Sequence, residues 1–486
     1  MRRAKIIATL GPALDDPVRL RAAIEAGADV FRFNFSHGTV EDHRERIRLV
    51  RELGQRVGRV VGTLGDLQGP KIRLGAVAEG GVVLETDHRV VLVAGESALT
   101  MTHDEDGVPV LPVVYPALAD DVSTGSLVLI DDGSIRLVVE SSDPVSRRVH
   151  AKVVVGGTAT SRKGVNLPGV QVSAPSLTEK DREDLANMVE LGIDWIALSF
   201  VRRVEDVLEV RALIEQLGGQ QPVIAKLERP EVLDDLEAIV AASDAIMVAR
   251  GDLGVEIGPE RVPAIQKEII DLSNRLGRPV ITATEMLESM IRSPRPTRAE
   301  ASDVANAIFD GSDAVMLSGE TAAGKYPVEA VRTMARIIEV AESSRERVRS
   351  TPPETAHVLG RSVAKAATQI ADEVDAVAIL VFSLSGASVQ LVSKYRPQQR
   401  IVGLTPDERA LRRFALMWGT DGAIVPTEDR SLDLMRSADE VCRAGSIGRV
   451  GDRVVIVAGV PGGHGGTNRV IVHELGDETN LTVGGR

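Results

Sequence analysis

The sequence predicts a (β/α)8 barrel of the TIM-barrel class, interrupted by a small β-barrel lid domain and followed by a C-terminal α/β domain. Three observations support this. Short β-rich apolar segments alternate with amphipathic helical ones, the alternation breaks for about a hundred residues after the third strand, and it resumes in new form after a proline-rich linker. On periodicity alone, an open doubly wound sheet is the alternative.

The barrel is assigned to residues 1–70 and 171–342. Its eight strands are predicted at Lys5–Leu10, Val30–Phe35, Val60–Leu64, Trp195–Phe200, Val223–Leu227, Ala245–Ala249, Val280–Thr284 and Ala314–Ser318. Helices are predicted at Pro17–Ala26, Glu41–Leu53, Glu179–Leu191, Val204–Leu217, Pro263–Leu276 and Val328–Glu342. Thr178 is a predicted N-cap, and four strands are entered through an aspartate: Asp29, Asp194, Asp244 and Asp313.

The lid domain is assigned to residues 71–170, where strand alternation occurs with little helical period. Its strands are predicted at Val82–Leu84, Val90–Val93, Leu127–Ile130 and Val149–Val155. The C-terminal domain is assigned to residues 355–486, after the linker Thr351-Pro352-Pro353. Strands are predicted there at Val377–Phe382, Ile401–Leu404 and Val454–Val457.

Composition excludes several classes of function. The formal net charge of −13 and the 2% aromatic content argue against a nucleic-acid partner or an anionic membrane surface. No apolar run approaches the roughly 18 residues that a membrane span requires. The single cysteine, Cys442, cannot form an intramolecular disulfide and is typical of a reducing compartment, so a cytoplasmic protein is expected.

Polar side chains collect at the carboxyl ends of the predicted strands, where barrel enzymes carry their catalytic groups. The period of two places Arg32, Asn34 and Ser36 on one face of the second strand. Lys226 and Glu228 likewise share a face of the fifth strand. The last three strands end in further polar residues, namely Arg250, Gly251 and Asp252, then Thr284 and Glu285, then Ser318 and Glu320.

Each of these motifs alone has an ordinary structural explanation, such as a salt bridge, a capped turn or a satisfied core hydroxyl. Together they bring a lysine, two carboxylates, two arginines and glycine-rich backbone N–H groups to one barrel rim. That combination favours a metal-assisted reaction at a substrate that carries phosphate and carboxylate groups. The spacing alone indicates no more specific chemistry.

Seven segments carry a resemblance to a known family. They are KIIATLGP (Lys5–Pro12), FNFSHG (Phe33–Gly38), GDLQGPKIR (Gly65–Arg73), KGVNLPG (Lys163–Gly169), MVARGDLGVE (Met247–Glu256), TATEMLESM (Thr282–Met290) and the long run Pro296–Gly319. In these segments the sequence resembles the pyruvate kinases. The resemblance implies phosphoryl transfer from phosphoenolpyruvate to ADP, giving pyruvate and ATP in the last step of glycolysis.

The resemblance also implies roles for individual residues. Glu228 and Asp252 match the carboxylates that hold Mg2+ (or Mn2+), and Lys226 matches the lysine that neutralises the phosphoryl group in transfer. Arg32 matches a phosphate-binding arginine, the N–H groups of Gly251 and Asp252 match the cradle for the substrate carboxylate, and Thr284 matches the threonine that helps protonate the enolate. Arg73 and Lys163 match contacts to the nucleotide phosphates.

One motif departs from the common family pattern. Most members bind K+ through residues that match Asn34, Ser36, Asp66 and Leu67, within the pattern Asp-Thr-Lys-Gly-Pro-Glu-Ile-Arg. Here the chain has Asp66-Leu67-Gln68-Gly69-Pro70-Lys71-Ile72-Arg73, which resembles the K+-independent branch. We therefore expect the Lys71 ammonium to replace the monovalent cation, so that K+ is not required. The alternative is that Lys71 is a solvated lid residue. Glu285 stands where the family usually has glutamine, and its effect is not predicted.

The C-terminal domain contains a loop that matches the family's effector-phosphate site, with Ser383, Ser385, Gly386 and Ser388 between a strand and a helix. A simple capped turn is the alternative. The late tryptophan and arginine that grip fructose bisphosphate are not evident around 459–467, so a sugar monophosphate or AMP is the expected effector. The resemblance implies a homotetramer. The rival functions are another phosphoenolpyruvate-using barrel enzyme and a catalytically silent, effector-binding homologue; the presence of Lys226, Glu228, Asp252 and Thr284 argues against the latter.

Overall fold

The structure is a computed structural model that describes residues 2–99, 101–344, 351–354, 358–427, 430–459 and 467–477 of the 486-residue chain. Its first segment contains β1 (Lys5–Thr9), α1 (Pro17–Ala26), β2 (Val30–Asn34), α2 (Val40–Val57) and β3 (Gly62–Asp66). The lid follows with β4 (Val82–Leu84), β5 (Arg89–Ala94), β6 (Val110–Val113), α3 (Leu118–Asp121), β7 (Leu127–Ile130), β8 (Ile135–Asp143), β9 (Arg148–Val155), β10 (Gly157–Ala159) and β11 (Val165–Asn166).

The chain then returns to the barrel. This segment contains α4 (Glu179–Glu190), β12 (Trp195–Leu198), α5 (Val204–Gln216), β13 (Val223–Leu227), α6 (Leu236–Ala242), β14 (Ala245–Ala249), α7 (Arg250–Ile257), α8 (Val262–Arg275), β15 (Val280–Ala283), α9 (Arg298–Asp310), β16 (Ala314–Leu317), α10 (Gly319–Ala322) and α11 (Pro327–Ser343). The C-terminal part contains α12 (Val358–Glu373), β17 (Ala378–Phe382), α13 (Ala387–Lys394), β18 (Arg400–Thr405), α14 (Glu408–Arg413), β19 (Thr420–Ile424), α15 (Ser431–Ala444), β20 (Arg453–Gly459) and β21 (Thr467–Glu474).

The eight predicted barrel strands close into one parallel barrel in the order β1-β16-β15-β14-β13-β12-β3-β2. This confirms the barrel and excludes the open doubly wound sheet. The third strand was predicted at Val60–Leu64 but runs from Gly62 to Asp66, because its register pairs Asp66 with Asn34 of β2. The apolar residues indicate that β3 is present, whereas the backbone pairing with β2 determines the residue at which β3 ends.

Side-chain caps begin several of the barrel helices. Thr178 accepts a hydrogen bond from the backbone N–H of Asp181, whose carboxylate accepts one from the N–H of Thr178, so the predicted N-cap of α4 is a full capping box. Thr39 begins α2 and Thr297 begins α9 in the same way. These caps satisfy donors that the first helical turn leaves without intrahelical partners, and they fix where each helix leaves the rim.

The lid consists mainly of β-strands, as predicted, with one short helix, α3, and its sheet is a half barrel. Six strands form one sheet in the order β11-β7-β8-β9-β5-β6, and β10 pairs separately with β4. The predicted small barrel is corrected in this respect, because β11 spans only two residues and has no pairing with β6 at the opposite edge. Val90, Leu92, Val149 and Val153 face a compact apolar core inside it.

The C-terminal part is a five-stranded sheet in the order β19-β18-β17-β20-β21, with β21 antiparallel to its neighbour. The three predicted strands are present; β19 and β21 were not predicted. Most of the glycine-rich stretch at 459–467 lies outside the described residues, as does the end of the proposed domain 355–486. Among the described helices, none is long and apolar enough to cross a membrane.

The four aspartates that precede barrel strands have one shared role. In each case a carboxylate oxygen accepts a hydrogen bond from the backbone N–H of the first or second residue of the preceding barrel strand, at 2.8 to 2.9 Å. The donor–acceptor pairs are Ile6 to Asp29, Thr63 to Asp194, Val223 to Asp244 and Val280 to Asp313. These bonds tie the strands together in pairs at the amino-terminal end of the barrel, and three of the four are buried.

The C-terminal domain covers that same end of the barrel. Arg412 lies 2.9 Å from Asp194, and Lys394 lies 2.5 Å from Asp313. Ala415 and Leu416 pack into the apolar cluster that fills the barrel interior. The opposite, carboxyl-terminal rim lies under the lid.

Candidate active site

Lys226 is the central cation of the rim. Its ammonium donates a hydrogen bond to Ser199 Oγ at 2.7 Å and lies 2.8 Å from Glu228 Oε1 and 3.3 Å from Asp66 Oδ1. Burial lowers the pKa of Lys226, but the carboxylates of Asp66 and Glu228 outweigh that effect and raise it above its ordinary value. Lys226 therefore stays charged throughout the neutral range.

Arg32 is held beside Lys226 by the same carboxylate. Its Nε and Nη2 lie 2.7 and 2.6 Å from Asp66 Oδ2, and its Nη1 donates to Thr9 Oγ1 at 3.2 Å. Burial raises the pKa of Asp66, but Lys226 and Arg32 together hold it below its ordinary value. Two donors on one carboxylate oxygen hold the Nε–Nη2 edge of the guanidinium on Asp66.

Glu228 and Asp252 are the two rim carboxylates proposed for a divalent metal. Glu228 is 1% exposed and accepts a hydrogen bond from the Phe200 N–H at 2.9 Å. Burial raises the pKa of Glu228, and Asp252 adds to the rise against the opposing Lys226. No cluster of three or more aspartate, glutamate, histidine or cysteine side chains suited to a metal occurs in the described ranges. Within the described residues, Glu228 and Asp252 are therefore two carboxylates of like charge that could supply only part of a metal ion's ligands.

Thr284 lies in a strained backbone conformation at the end of β15. Its φ is +69°, and Glu285 follows with a φ of +54°. A β-branched residue rarely adopts positive φ, and such strain persists only where surrounding contacts enforce it. Thr284 Oγ1 accepts a hydrogen bond from the Gly251 N–H at 2.7 Å and donates one to the Ala283 carbonyl. Thr284 and Gly251, which were both predicted to lie on this part of the rim, are therefore in direct contact.

Arg250 supports this strained turn rather than facing the rim as a free cation. Its guanidinium donates to the carbonyls of Ala283 and Thr284 at 3.2 and 2.8 Å and pairs with Asp303 at 2.7 Å. The sequence placed Arg250 among the rim charges, and the contacts give it a supporting position.

The residues that match the family's monovalent-cation site make contacts within the chain. Asn34 Oδ1 accepts a hydrogen bond from the Ser36 N–H at 3.1 Å, and the Leu67 side chain is 1% exposed within the barrel core. Lys71 lies in a cleft between lid and barrel that Asp252 also lines. Within the described residues, no ion pair joins Lys71 to Asp66.

Arg73 and Lys163, the expected nucleotide contacts, lie together on the lid. Arg73 is bridged to Gly164 through the backbone and donates to the Arg162 carbonyl at 3.1 Å. Lys163 pairs with Asp131 at 2.9 Å, and this contact raises the pKa of Lys163. Both residues are partly exposed.

The predicted effector loop is a strand-to-helix turn between β17 and α13. Gly386 has a φ of +93° and donates its N–H to Ser383 Oγ at 3.0 Å, while Ser388 is hydrogen-bonded to Thr467. The loop borders a cavity of about 770 Å³ between the barrel and the C-terminal domain, which Ser385, Arg278 and Arg413 also line.

Comparison with known proteins assigns this architecture to a family. The family model described as pyruvate kinase, barrel domain matches residues 1–331, and the model described as pyruvate kinase, alpha/beta domain matches residues 361–473. The chain belongs to the pyruvate kinase family. It is therefore a phosphotransferase whose substrates are phosphoenolpyruvate and ADP and whose products are pyruvate and ATP, and pyruvate kinases generally need a divalent metal.

Individual pyruvate kinases are similar over nearly the whole chain. The pyruvate kinase of Geobacillus stearothermophilus is 46% identical over 488 residues, covering 98% of this chain and 81% of the relative. That of Mycobacterium tuberculosis is 45% identical over 481 residues, covering 98% and 99%. The crystal structure of a pyruvate kinase from Cryptosporidium parvum superposes with a TM-score of 0.88 at 34% identity, covering 97% of this chain and 96% of that one.

Two features of this pyruvate kinase site were missed by sequence reasoning. Ser199 holds the Lys226 ammonium, and Phe200, with a φ of +55°, directs its N–H to Glu228. Both follow the end of β12 and sit in the predicted strand Trp195–Phe200 as unremarked terminal residues. The polar Ser199 at a strand end was the available signal, since that position lies on the rim.

Proposed function

We propose that Lys226, Arg32, Glu228, Asp252 and Thr284 carry the transfer of the phosphoryl group from phosphoenolpyruvate to ADP. One observation carries this assignment: the buried Lys226 and the partly buried Arg32 share one carboxylate, Asp66, and Glu228 is in contact with Lys226. Two fixed cations beside a carboxylate pair suit a phosphorylated substrate, because transfer relies on positioning and charge neutralisation.

The charge balance of this cluster supports Mg2+ (or Mn2+) as the cofactor. Arg32 and Lys226 are offset by Asp66 and Glu228, which leaves Asp252 uncompensated within the cluster. A highly anionic substrate entering there requires added positive charge. Mg2+ is typically bound through one or two carboxylates together with substrate phosphates, which fits Glu228 and Asp252. The bound ion would neutralise oxygens of the phosphoryl group.

The remaining residues have complementary proposed roles. Arg32 and Lys226 bind the phosphoryl group, and the N–H groups of Gly251 and Asp252 bind the substrate carboxylate, which takes the place of Thr284 Oγ1 on the Gly251 N–H. Thr284, held over Gly251 by its strained turn, organises proton delivery to the enolate carbon. Arg73 and Lys163 contact the nucleotide phosphates from the lid, so that lid closure brings ADP to the rim.

A coupled assay for pyruvate formation tests the assignment. Wild-type protein should form pyruvate from phosphoenolpyruvate and ADP only with a divalent metal. Lys226→Met should lower kcat by about 10³-fold, since one preorganised charge contact commonly supplies that much. Lys365→Met, at an exposed position of α12, is the matched control and should leave kcat unchanged.

Either of two outcomes would contradict the assignment. If the wild-type protein formed no pyruvate in a metal-dependent reaction, a catalytically silent, effector-binding homologue would be the better interpretation. A Lys226→Met variant with wild-type kcat would remove Lys226 from the reaction. Another phosphoenolpyruvate-using barrel enzyme is disfavoured by the family match over both parts of the chain.

Three further properties are proposed on narrower grounds. Lys71 replaces K+, supported by the motif Asp66–Arg73 and by the place of Lys71 in a cleft between lid and barrel. A phosphorylated effector, such as a sugar monophosphate or AMP, binds Ser383, Ser385, Gly386 and Ser388, supported by the cavity that Arg278 and Arg413 share with this loop. A homotetrameric, cytoplasmic enzyme is proposed from the family resemblance and the single, buried Cys442.

A further inference from the structure

A buried ion pair joins the two segments that carry the proposed metal ligands. Arg229 directly follows Glu228 at the end of β13, and Glu256 lies one helical turn after Asp252 in α7. Arg229 Nη1 donates to Glu256 Oε1 at 2.8 Å, and the two side chains are only 6% and 1% exposed. Because both groups are desolvated, their contact fixes the spacing between the end of β13 and α7.

The same pair is bound to the lid at its return to the barrel. Asn166 Nδ2, at the end of β11, donates to Glu256 Oε1 at 3.2 Å. Arg229 Nη2 donates to the carbonyl of Val170 at 3.2 Å, next to Gly169, whose φ is +71°. A lid that moves about Gly169, where its chain returns to the barrel, must break these bonds or move Arg229 and Glu256 with it.

Both bonds to Glu256 end on one oxygen atom. Oε1 accepts from Arg229 and from Asn166, whereas Oε2 is buried and has no hydrogen-bond partner among the described residues. The lid contact and the ion pair therefore act on the same atom. A displacement of Asn166 changes the position of the carboxylate that Arg229 holds.

We propose that Arg229 and Glu256 are positioning residues that make the spacing of Glu228 and Asp252, and hence metal affinity, depend on the position of the lid. This inference rests on the proposed metal site. Neither side chain is itself a proposed ligand. Partners of this kind that orient metal-binding carboxylates commonly change metal affinity by about 10- to 100-fold when they are altered.

Binding of Mn2+ to the full-length protein, measured by electron paramagnetic resonance without nucleotide, tests the proposal. Glu256→Gln removes the charge from the pair and should weaken Mn2+ binding by about tenfold. Asn166→Ala removes only the lid's hydrogen bond and should weaken it by about fivefold. Arg412→Met breaks a comparable ion pair at the other end of the barrel and should lower the unfolding temperature without changing Mn2+ affinity.

The outcomes separate this inference from the proposed function. Asn166→Ala and Glu256→Gln variants that fold and bind Mn2+ as the wild type does would overturn the positioning role, provided that Glu228→Gln abolishes binding. If Glu256→Gln fails to fold, Asn166→Ala decides alone, since it leaves the ion pair intact. Unchanged Mn2+ binding in Glu228→Gln would instead remove the proposed metal site, and the positioning role with it.

Discussion

Asp66 is buried between two cationic side chains and is the residue on which both depend. It is 2% exposed, and its two oxygens face Lys226 and Arg32 separately. The sequence motif identified Asp66 only through its match to a monovalent-cation ligand. Its pairing with Arg32 and Lys226 could not be predicted, because it depends on side chains from β2, β3 and β13 that the strand order of the barrel brings to one rim.

Lys71 provides the prediction at the scale of single residues. If its ammonium supplies the charge that relatives take from K+, activity in buffer free of K+ and Na+ should stay near its maximum. Lys71→Glu should then make activity rise many-fold on addition of KCl at constant ionic strength, because a cation would be needed again. Initial rates of pyruvate formation measure this.

Lys152→Glu is the matched control for this substitution. Lys152 is also a lid lysine, but it pairs with Asp87 on the exposed surface. Its charge reversal should produce no K+ dependence. A wild-type rate that itself rises many-fold with KCl would show that Lys71 does not replace the ion.

The two hinges of the lid show how single elements control the site. Gly69 and Gly169 both have positive φ, at +69° and +71°, where the chain leaves and re-enters the barrel. Their surroundings differ. A side chain at Gly69 would place Cβ 2.5 Å from the Phe200 ring, whereas no atom lies within 4 Å at Gly169. The first hinge is therefore packed against the residue whose N–H binds Glu228.

Gly69→Ala should consequently impair the metal site. The added Cβ must displace Phe200, so the Mg2+ concentration for half-maximal activity should rise by about tenfold. Gly169→Ala pays only the cost of a left-handed alanine, about 1 kcal/mol, and should leave the Mg2+ requirement unchanged. Metal titrations of both variants compare the two hinges directly. Equal shifts would contradict the role assigned to Phe200.

At the scale of helices and strands, the elements that the sequence predicts correctly are those whose local residue pattern agrees with their pairing in the fold. The eight barrel strands and the Thr178 cap follow from apolar runs and a capping pattern, and both are present. The half-open lid sheet and strand β19 were missed. The first depends on whether distant edges meet, and β19 contains Asp421 and Gly422, which weaken any strand pattern.

At the scale of the whole molecule, several ion pairs join the barrel to the C-terminal domain. Lys394 and Asp313 are each 1% exposed, and Lys394 also donates to Asn274 at 2.8 Å. Arg396 lies 3.3 Å from Asp313 and packs on Trp418, with Arg3 over the same ring. Burial lowers the pKa of Lys394 to about 8, although Asp313 opposes the shift.

This pKa predicts how stability changes with pH. The unfolded chain holds the Lys394 proton up to its ordinary pKa near 10.5, whereas the folded chain releases it near 8, so the unfolded state binds more protons between these values. Stability should therefore rise with pH in that window, by at most about 3 kcal/mol. Lys394→Met lacks this contribution while Arg396 still pairs with Asp313.

Denaturant unfolding of both proteins at pH 7, 8.5 and 10 measures the effect. The free energy of unfolding of the wild type should increase relative to that of Lys394→Met as the pH rises. A difference that stays constant across this range would show that Lys394 does not titrate in the folded protein.

The buried aspartates at the amino-terminal end of the barrel also limit which C-terminal domains can be joined to this barrel. Asp194 and Asp313 receive their counter-charges from Arg412, Lys394 and Arg396, which belong to the other domain. A chimaera that joins this barrel to a foreign C-terminal domain would leave at least one of these buried carboxylates without its cation unless Arg412 and either Lys394 or Arg396 were carried over. The two domains have separate folds, but the buried aspartates of the barrel depend on basic residues of the C-terminal domain.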